Sequence, residues 1–243
     1  MSQRPPFTLG LLGDGAELDA FFAQTQITIL GFGSLLSEAS ARASFPELHN
    51  FREVRVRGYR RTFQHPAFVF FERGIADPAT KRFSSLSAHQ DEGGLDSSFV
   101  AIAFEIEPFS KTEWLRREEE FAFHVCEYED PSGAVGAGIM CCSAPDDEVY
   151  ISRWGSGKYR EKLSQYGLPG IWGLDKNRDI KPCSVYLRHC VLAAQRRSPE
   201  CYASFLDQTF LADMTTTIRS YLEDNPWVME TIPPESLAAR YCG

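Results

Sequence analysis

Four residues that favour extended backbone, Ile27-Thr28-Ile29-Leu30, run directly into Gly31-Phe32-Gly33. Three of the four are β-branched, and a short apolar run of this kind bounded by glycine is the pattern of a buried strand. Two glycines in three positions end it, because glycine weakens strand and helix interiors alike and accepts the angles of a sharp turn. Ser37 to Ser44 then reads as helical and stops before Pro46. The chain must therefore place a core strand, a tight glycine turn and a helical stretch in immediate succession. Such a turn lets a ligand approach the backbone closely, and its successive N–H groups can form an anion nest. The loop of Phe32, Gly33, Ser34 and Leu35, with the Ser34 hydroxyl, can hold a carboxylate or a developing oxyanion. A ligand-free structural turn is the alternative reading. A dinucleotide fingerprint would need glycine where Leu36 stands, no Gly-Lys-Ser/Thr follows for a phosphate loop, and no Gly-x-Ser-x-Gly elbow is present.

Further strands are predicted over Arg52–Phe63, continuing through Ala67–Phe71, and over Phe99–Ile106, Phe121–Tyr128, Val135–Cys142 and Lys181–Ala194. Helices are predicted over Asp14–Ala23, with Asp14 as cap, and over Ser110–Glu120, where Ser110 and Glu113 form a capping box. Asp146–Gly167 is helical but broken by Gly155 and Gly157, and Pro199–Phe210 and Thr216–Asp224 are helical. Many short strands with scattered helices predict an α+β fold, a small curled mixed β-sheet or barrel with flanking helices. We divide the chain into a leader at 1–26, the main domain at 27–195 and a C-terminal helical extension at 196–243 packed on it.

A net charge of −8 repels phosphate backbones and anionic lipid, so neither nucleic acid nor membrane is an expected partner. The basic spot at Arg57, Arg60 and Arg61 is short and reads as surface or pocket charge. No apolar run approaches the ~18 residues of a transmembrane helix. Seven cysteines, an odd number without a C-x-x-C pair, argue for a reducing compartment, and a cytoplasmic location is expected. The adjacent Cys141 and Cys142 read as small hydrophobes of a strand. The five histidines have no paired ligand spacing, so no metal is expected.

The second constellation is Trp114-Leu-Arg-Arg-Glu-Glu-Glu-Phe-Ala-Phe123. Three acids at a helix C-terminus oppose the macrodipole, and they abut Phe121 and Phe123. A carboxylate pressed against aromatics has its charged form disfavoured and its pKa raised, which suits proton transfer near neutral pH. A solvated acidic helix end is the alternative. Because neighbours point in different directions, one or at most two of Glu118, Glu119 and Glu120 are expected to face a pocket.

Taken together, Phe32-Gly33-Ser34-Leu35, then Gly58-Tyr59-Arg60-Arg61-Thr62-Phe63, then Phe99–Phe104, then Arg117-Glu118-x-x-Phe121 resemble the gamma-glutamylcyclotransferase-like superfamily, including its ChaC-type branch. The likeness spans roughly residues 27 to 128. The resemblance implies release of 5-oxoproline from a small-molecule γ-glutamyl substrate, an amine or peptide, with one glutamate moving the proton, the loop gripping the γ-glutamyl group and no cofactor. Anchored on Trp114 it selects Glu118 as catalytic, whereas anchored on Leu115 it selects Glu119. Relatives often carry tyrosine where Phe32 stands and a single acid followed by glycine where this chain has three acids. A silent metabolite-binding member of the same fold, or an interaction protein using its C-terminal helices, are the competing readings.

Overall fold

The computed structural model describes residues 8–91, 97–107, 110–172 and 180–243; the first seven residues of the expected leader lie outside them. In chain order the elements are β1 (Gly10–Leu11), α1 (Ala16–Phe22), β2 (Ile27–Gly31), α2 (Glu38–Arg42), β3 (His49–Arg57), β4 (Tyr59–Pro66), α3 (Phe68–Glu72), β5 (Arg82–Gln90) and β6 (Ser98–Ile106). They continue with α4 (Lys111–Arg117), β7 (Ala122–Glu129), β8 (Val135–Cys142), α5 (Glu148–Tyr166), β9 (Lys181–Pro182), α6 (Ser184–Arg197), α7 (Pro199–Asp207), β10 (Thr209–Leu211) and α8 (Ile218–Asp224).

The fold is α+β. Among the described residues, ten strands form one curled mixed sheet in the order β1-β7-β3-β6-β2-β8-β5-β4-β10, with β9 beside β5. A further pairing of β7 with β8 brings β7, β3, β6, β2 and β8 round on themselves, and the outlying strands keep the sheet from being a clean barrel. At the centre, β2 is antiparallel to β6 and parallel to β8. Ile27, Ile29, Leu30 and the whole Phe99–Phe104 stretch are consequently buried, as expected of strands covered on both faces. Gly58, at φ 77°, breaks the long predicted strand into β3 and β4.

Part of the predicted leader belongs to this architecture. β1 pairs with β7, and α1 buries Leu18, Phe21 and Phe22. Asp14 is not the cap of α1; Gly15 holds that position, and Asp14 instead pairs with Arg153 at 2.9 Å. Ser110 does cap α4, accepting from the Glu113 N–H at 3.3 Å. Gly155 adopts φ 85° and kinks α5, while Gly157 stays helical.

Two segments predicted as strand are helical. Pro66 ends the β4 ladder, and Phe68–Glu72 turns into α3, burying Phe68 and Phe70. Beyond the two-residue β9, Ser184–Arg197 is the 14-residue helix α6. Its buried Val185, Leu187, Cys190, Val191 and Ala194 recur at helical spacing, and that period outweighs the strand propensity of valine and tyrosine. The end of the helix predicted to reach Phe210 is instead β10, parallel to β4.

Arg61 is not surface charge. It is fully buried, donating to Val100 O at 3.2 Å and to the Ser204 Oγ at 3.0 Å, between the rings of Phe99 and Phe205. A planar fork with several donors can satisfy carbonyls while its faces lie on aromatics. Arg61 thereby ties β4 to β6 and to α7, which carries Ser204. Burial pulls its pKa down to about 9.

Candidate functional site

The turn after β2 is built around two close approaches. A Cβ on Gly31 would lie 2.5 Å from the Leu35 Cβ, so the chain can fold back on itself only with glycine there. A Cβ on Gly33 would lie 2.5 Å from the Tyr186 hydroxyl oxygen. Ser34–Leu36 form a single 3-10 turn, in which the Leu36 and Ser37 N–H groups donate to Gly33 O at 3.0 Å and Ser34 O at 3.2 Å. Those two N–H groups are thus engaged inside the turn, so a ligand can recruit fewer donors than an open nest would present. Phe32 is buried against Phe99, with ring centroids 5.9 Å apart. Leu35 is half-buried beside the core. Tyr186, from α6, stands over the turn. Burial pushes its pKa far above the usual phenol value, and the Ser34 backbone hydrogen bond pulls the other way, so Tyr186 is a neutral hydroxyl at the turn.

The three glutamates follow directly on α4. Trp114 is fully buried and Leu115 only half-buried, so Trp114 is the residue that anchors this helix in the core. Glu118 leaves helical geometry at φ −113° and ψ 44°, and β7 starts at Ala122. Each acid takes a different partner. Glu118 Oε1 accepts from Arg117 Nε at 2.6 Å. Glu119 pairs with Lys158 Nζ at 2.7 Å and lies 3.9 Å from Lys162 Nζ. Glu120 Oε1 accepts from the Phe68 N–H at 2.8 Å, and the residue is 4% exposed.

All three nevertheless line one cavity of about 580 Å³, together with Gly31–Leu35, Cys141 and Tyr186. One or two were expected to face a pocket, and all three residues border this one. The helix was expected to run to Glu120; it ends at Arg117, and Glu118–Glu120 follow in an irregular turn along the cavity. Glu118 shares its surroundings with the glycine turn. Its charge acts on Tyr186, and burial together with this charge keeps the Cys141 thiol on β8 well above the usual thiol value. The volume suits a ligand of metabolite size.

Glu120 has the most perturbed environment of the three. Burial above all, then the charge of Glu119, raises its carboxyl from 4.5 to about 8, against the pull of the Phe68 N–H. The unfolded chain loses this proton near the ordinary carboxylate value, and the folded chain keeps it to about pH 8. Between those values the unfolded state binds fewer protons, so the carboxyl's contribution to stability is full below about pH 4.5, falls as pH rises and levels off above 8. Glu120→Gln keeps an acceptor for Phe68 and removes the charge. Its stability relative to the parent should rise between pH 4 and pH 8, by on the order of 1–4 kcal/mol. Urea melts at the two pH values measure this, and a difference independent of pH would mean that Glu120 ionises normally in the folded chain.

Sequence reasoning missed Tyr186, hidden in a helix read as strand, and the wall made by Arg240 and Tyr241, whose segment carries no periodic pattern. Arg73 also lines the cavity. Among the described residues, no group of three or more His, Cys, Asp or Glu is placed to hold a metal, and no helix is long and apolar enough to cross a membrane.

No family model and no curated protein matches the sequence. Solved structures do. A gamma-glutamyl cyclotransferase overlaps 64% of this chain and 94% of its own at 10% identity and a TM-score of 0.39. A yeast gamma-glutamyl cyclotransferase specific to glutathione overlaps 72% of this chain and 89% of its own at 13% identity and a TM-score of 0.46. An uncharacterized human protein overlaps 65% and 95% at 11% identity and a TM-score of 0.39. All three TM-scores are below 0.5, and what the chain does is read from its own cavity.

Proposed function

We propose that this cavity converts a γ-glutamyl amine or peptide to 5-oxoproline by internal aminolysis, with Glu118 carrying the proton. The observation that supports this most directly is the shared wall: the glycine turn and Glu118 open on one cavity, linked through Tyr186. The turn receives the γ-glutamyl moiety against backbone, where only glycine leaves room. Glu118 accepts a proton from the substrate's α-ammonium. The freed amine attacks the γ-carbonyl carbon, a C–N bond closes the five-membered ring, and the carbonyl oxygen takes the negative charge. The γ-amide C–N bond then breaks as Glu118 returns its proton to the departing nitrogen; the ring nitrogen sheds its second proton, which the released amine takes up to leave as an ammonium. Positioning and one proton shuttle suffice, since nucleophile and electrophile belong to one molecule. The Arg117 Nε, 2.6 Å from Glu118, fixes the carboxylate's orientation. The Tyr186 hydroxyl beside Gly33 can donate toward the oxyanion.

A second reading keeps the reaction and moves the proton to Glu120, the carboxyl poised at about 8 on the same wall. Glu120 is the more buried and is held by the Phe68 amide, whereas the charge of Glu118 acts on Tyr186 over the turn, which favours Glu118. The test of the activity is 5-oxoproline release from γ-glutamyl dipeptides, γ-glutamylamines and glutathione. Release from none, with binding retained, would leave a metabolite-binding protein of this fold.

A further inference from the structure

Glu72, Glu118, Glu119 and Glu120 border the cavity with Arg73, Arg116, Arg117 and Arg240, but these acids are engaged by other partners. Glu72 is paired with Lys162, Glu118 with Arg117, and Glu119 with Lys158 and Lys162. Glu120 is hydrogen-bonded to a backbone amide. Arg73, Arg116 and Arg240 also line the cavity, and among the described residues no carboxylate forms an ion pair with any of them. Arg73 comes from the end of α3, Arg116 from the last turn of α4 and Arg240 from the segment beyond residue 235. Three distant stretches of chain thus deliver like charges to one opening, which costs folding energy unless something anionic meets them.

The segment bearing Arg240 is docked, not draped. Tyr241 is 3% exposed, and its hydroxyl accepts from Arg73 Nη1 at 2.8 Å. Tyr241 packs edge-on to His189 of α6, with ring centroids 5.7 Å apart. This fixes Arg240 next to Arg73. Arg240 lies near enough to Arg73 and Arg117 for their charges, after partial burial, to lower its pKa. A planar guanidinium is the group best suited to hold a carboxylate through two parallel hydrogen bonds.

We propose that Arg240 and Arg73 form an anion subsite at the mouth of the cavity, which selects γ-glutamyl substrates whose leaving amine carries a free carboxylate. This rests on the proposed reaction for its γ-glutamyl half. The charge-based half is separate: the subsite recognises the far end of the ligand, away from the bond that breaks. Glu118 and the glycine turn hold the reacting end, and Arg73 and Arg240 hold the acid of the departing amino acid or peptide. Neutral γ-glutamylamines enter without that contact.

The test uses the full chain and two probes of similar size, γ-glutamylglycine and γ-glutamylethylamide. Binding is measured by calorimetry and turnover by 5-oxoproline release. In Arg240→Gln and in Arg73→Gln, the acid-bearing probe should bind roughly ten- to a hundredfold more weakly, the loss expected for a charged hydrogen-bonded pair. KM should rise for that probe with kcat nearly unchanged, and the ethylamide should keep its parent constants. Arg219→Gln, which removes an arginine paired with Asp207 away from the cavity, should move neither probe by more than a few-fold. Equal losses for both probes, or no loss for either, would overturn the subsite and make the arginines structural. If neither probe is turned over but the calorimetric preference for the acid holds and vanishes in Arg240→Gln, the reaction fails and the subsite stands. If turnover proceeds with no preference, the subsite fails and the reaction stands.

Discussion

Glu118→Gln is expected to lower 5-oxoproline release by about a thousandfold, within the ~10²–10⁴ range that a positioned proton carrier contributes. The substitution is nearly isosteric. Its amide oxygen can still accept from Arg117 Nε, so the turn after α4 keeps its shape. What is lost is the ability to take a proton from the substrate's ammonium and return it to the departing amine. Both transfers use the same oxygen atoms, so kcat should fall while KM changes only a few-fold. Substrate binding by calorimetry and the thermal melt should stay near those of the parent. Near-normal turnover in Glu118→Gln would remove Glu118 from the chemistry. A large kcat loss in Glu120→Gln alongside it would then transfer the role to the buried carboxyl. Glu119 is the poorest candidate, because its partners, Lys158 at 2.7 Å and the Tyr150 hydroxyl at 3.5 Å, both belong to α5 and not to the glycine turn or α6.

The parts of this site that are legible in the sequence are those set by local chemistry. The β-branched run before Gly31 becomes β2 at its predicted position, and the Ser110 box becomes the cap of α4. Phe99–Ile106 becomes the most buried strand of the sheet. What was not legible depends on partners far along the chain. Tyr186 lies in a segment where valine, tyrosine and leucine suggest a strand, and its helical state is decided by burial against the sheet. Phe68–Glu72 has strand-like composition, but Pro66 cannot continue the ladder, and the chain coils so that the Phe68 amide reaches Glu120, 52 positions away. The three acids follow in an irregular turn along the cavity because α4 stops at Arg117, an end that Glu118–Glu120, good helix formers, do not announce. Arg61 looks like surface charge until Ser204, 143 positions downstream, is seen to meet it.

Gly33→Ala tests the other half of the site. One added methyl would sit 2.5 Å from the Tyr186 oxygen and 3.4 Å from Leu86 Cδ2. The first distance is far inside contact, so something must move. Tyr186 has little freedom to retreat: it is fixed in α6, with its ring 4.9 Å from that of Phe70 and 6.2 Å from that of Phe63. The turn must therefore shift. Overpacking of this kind costs about 1–3 kcal/mol of stability. A displacement of about 1 Å at a positioned reacting group costs about a hundredfold in rate. The expected result is a lower melting temperature, weaker γ-glutamyl binding and about a hundredfold lower turnover. Tyr186→Phe supplies the control, since it deletes the oxygen that the new methyl meets and leaves Cζ at 3.6 Å, an ordinary contact. In the double variant the stability cost of the alanine should largely disappear, a coupling that a double-mutant cycle measures directly. Binding should recover with it, while turnover keeps whatever loss the missing hydroxyl causes at the oxyanion. Parent-like binding in Gly33→Ala alone would show that the γ-glutamyl group does not lie on this turn.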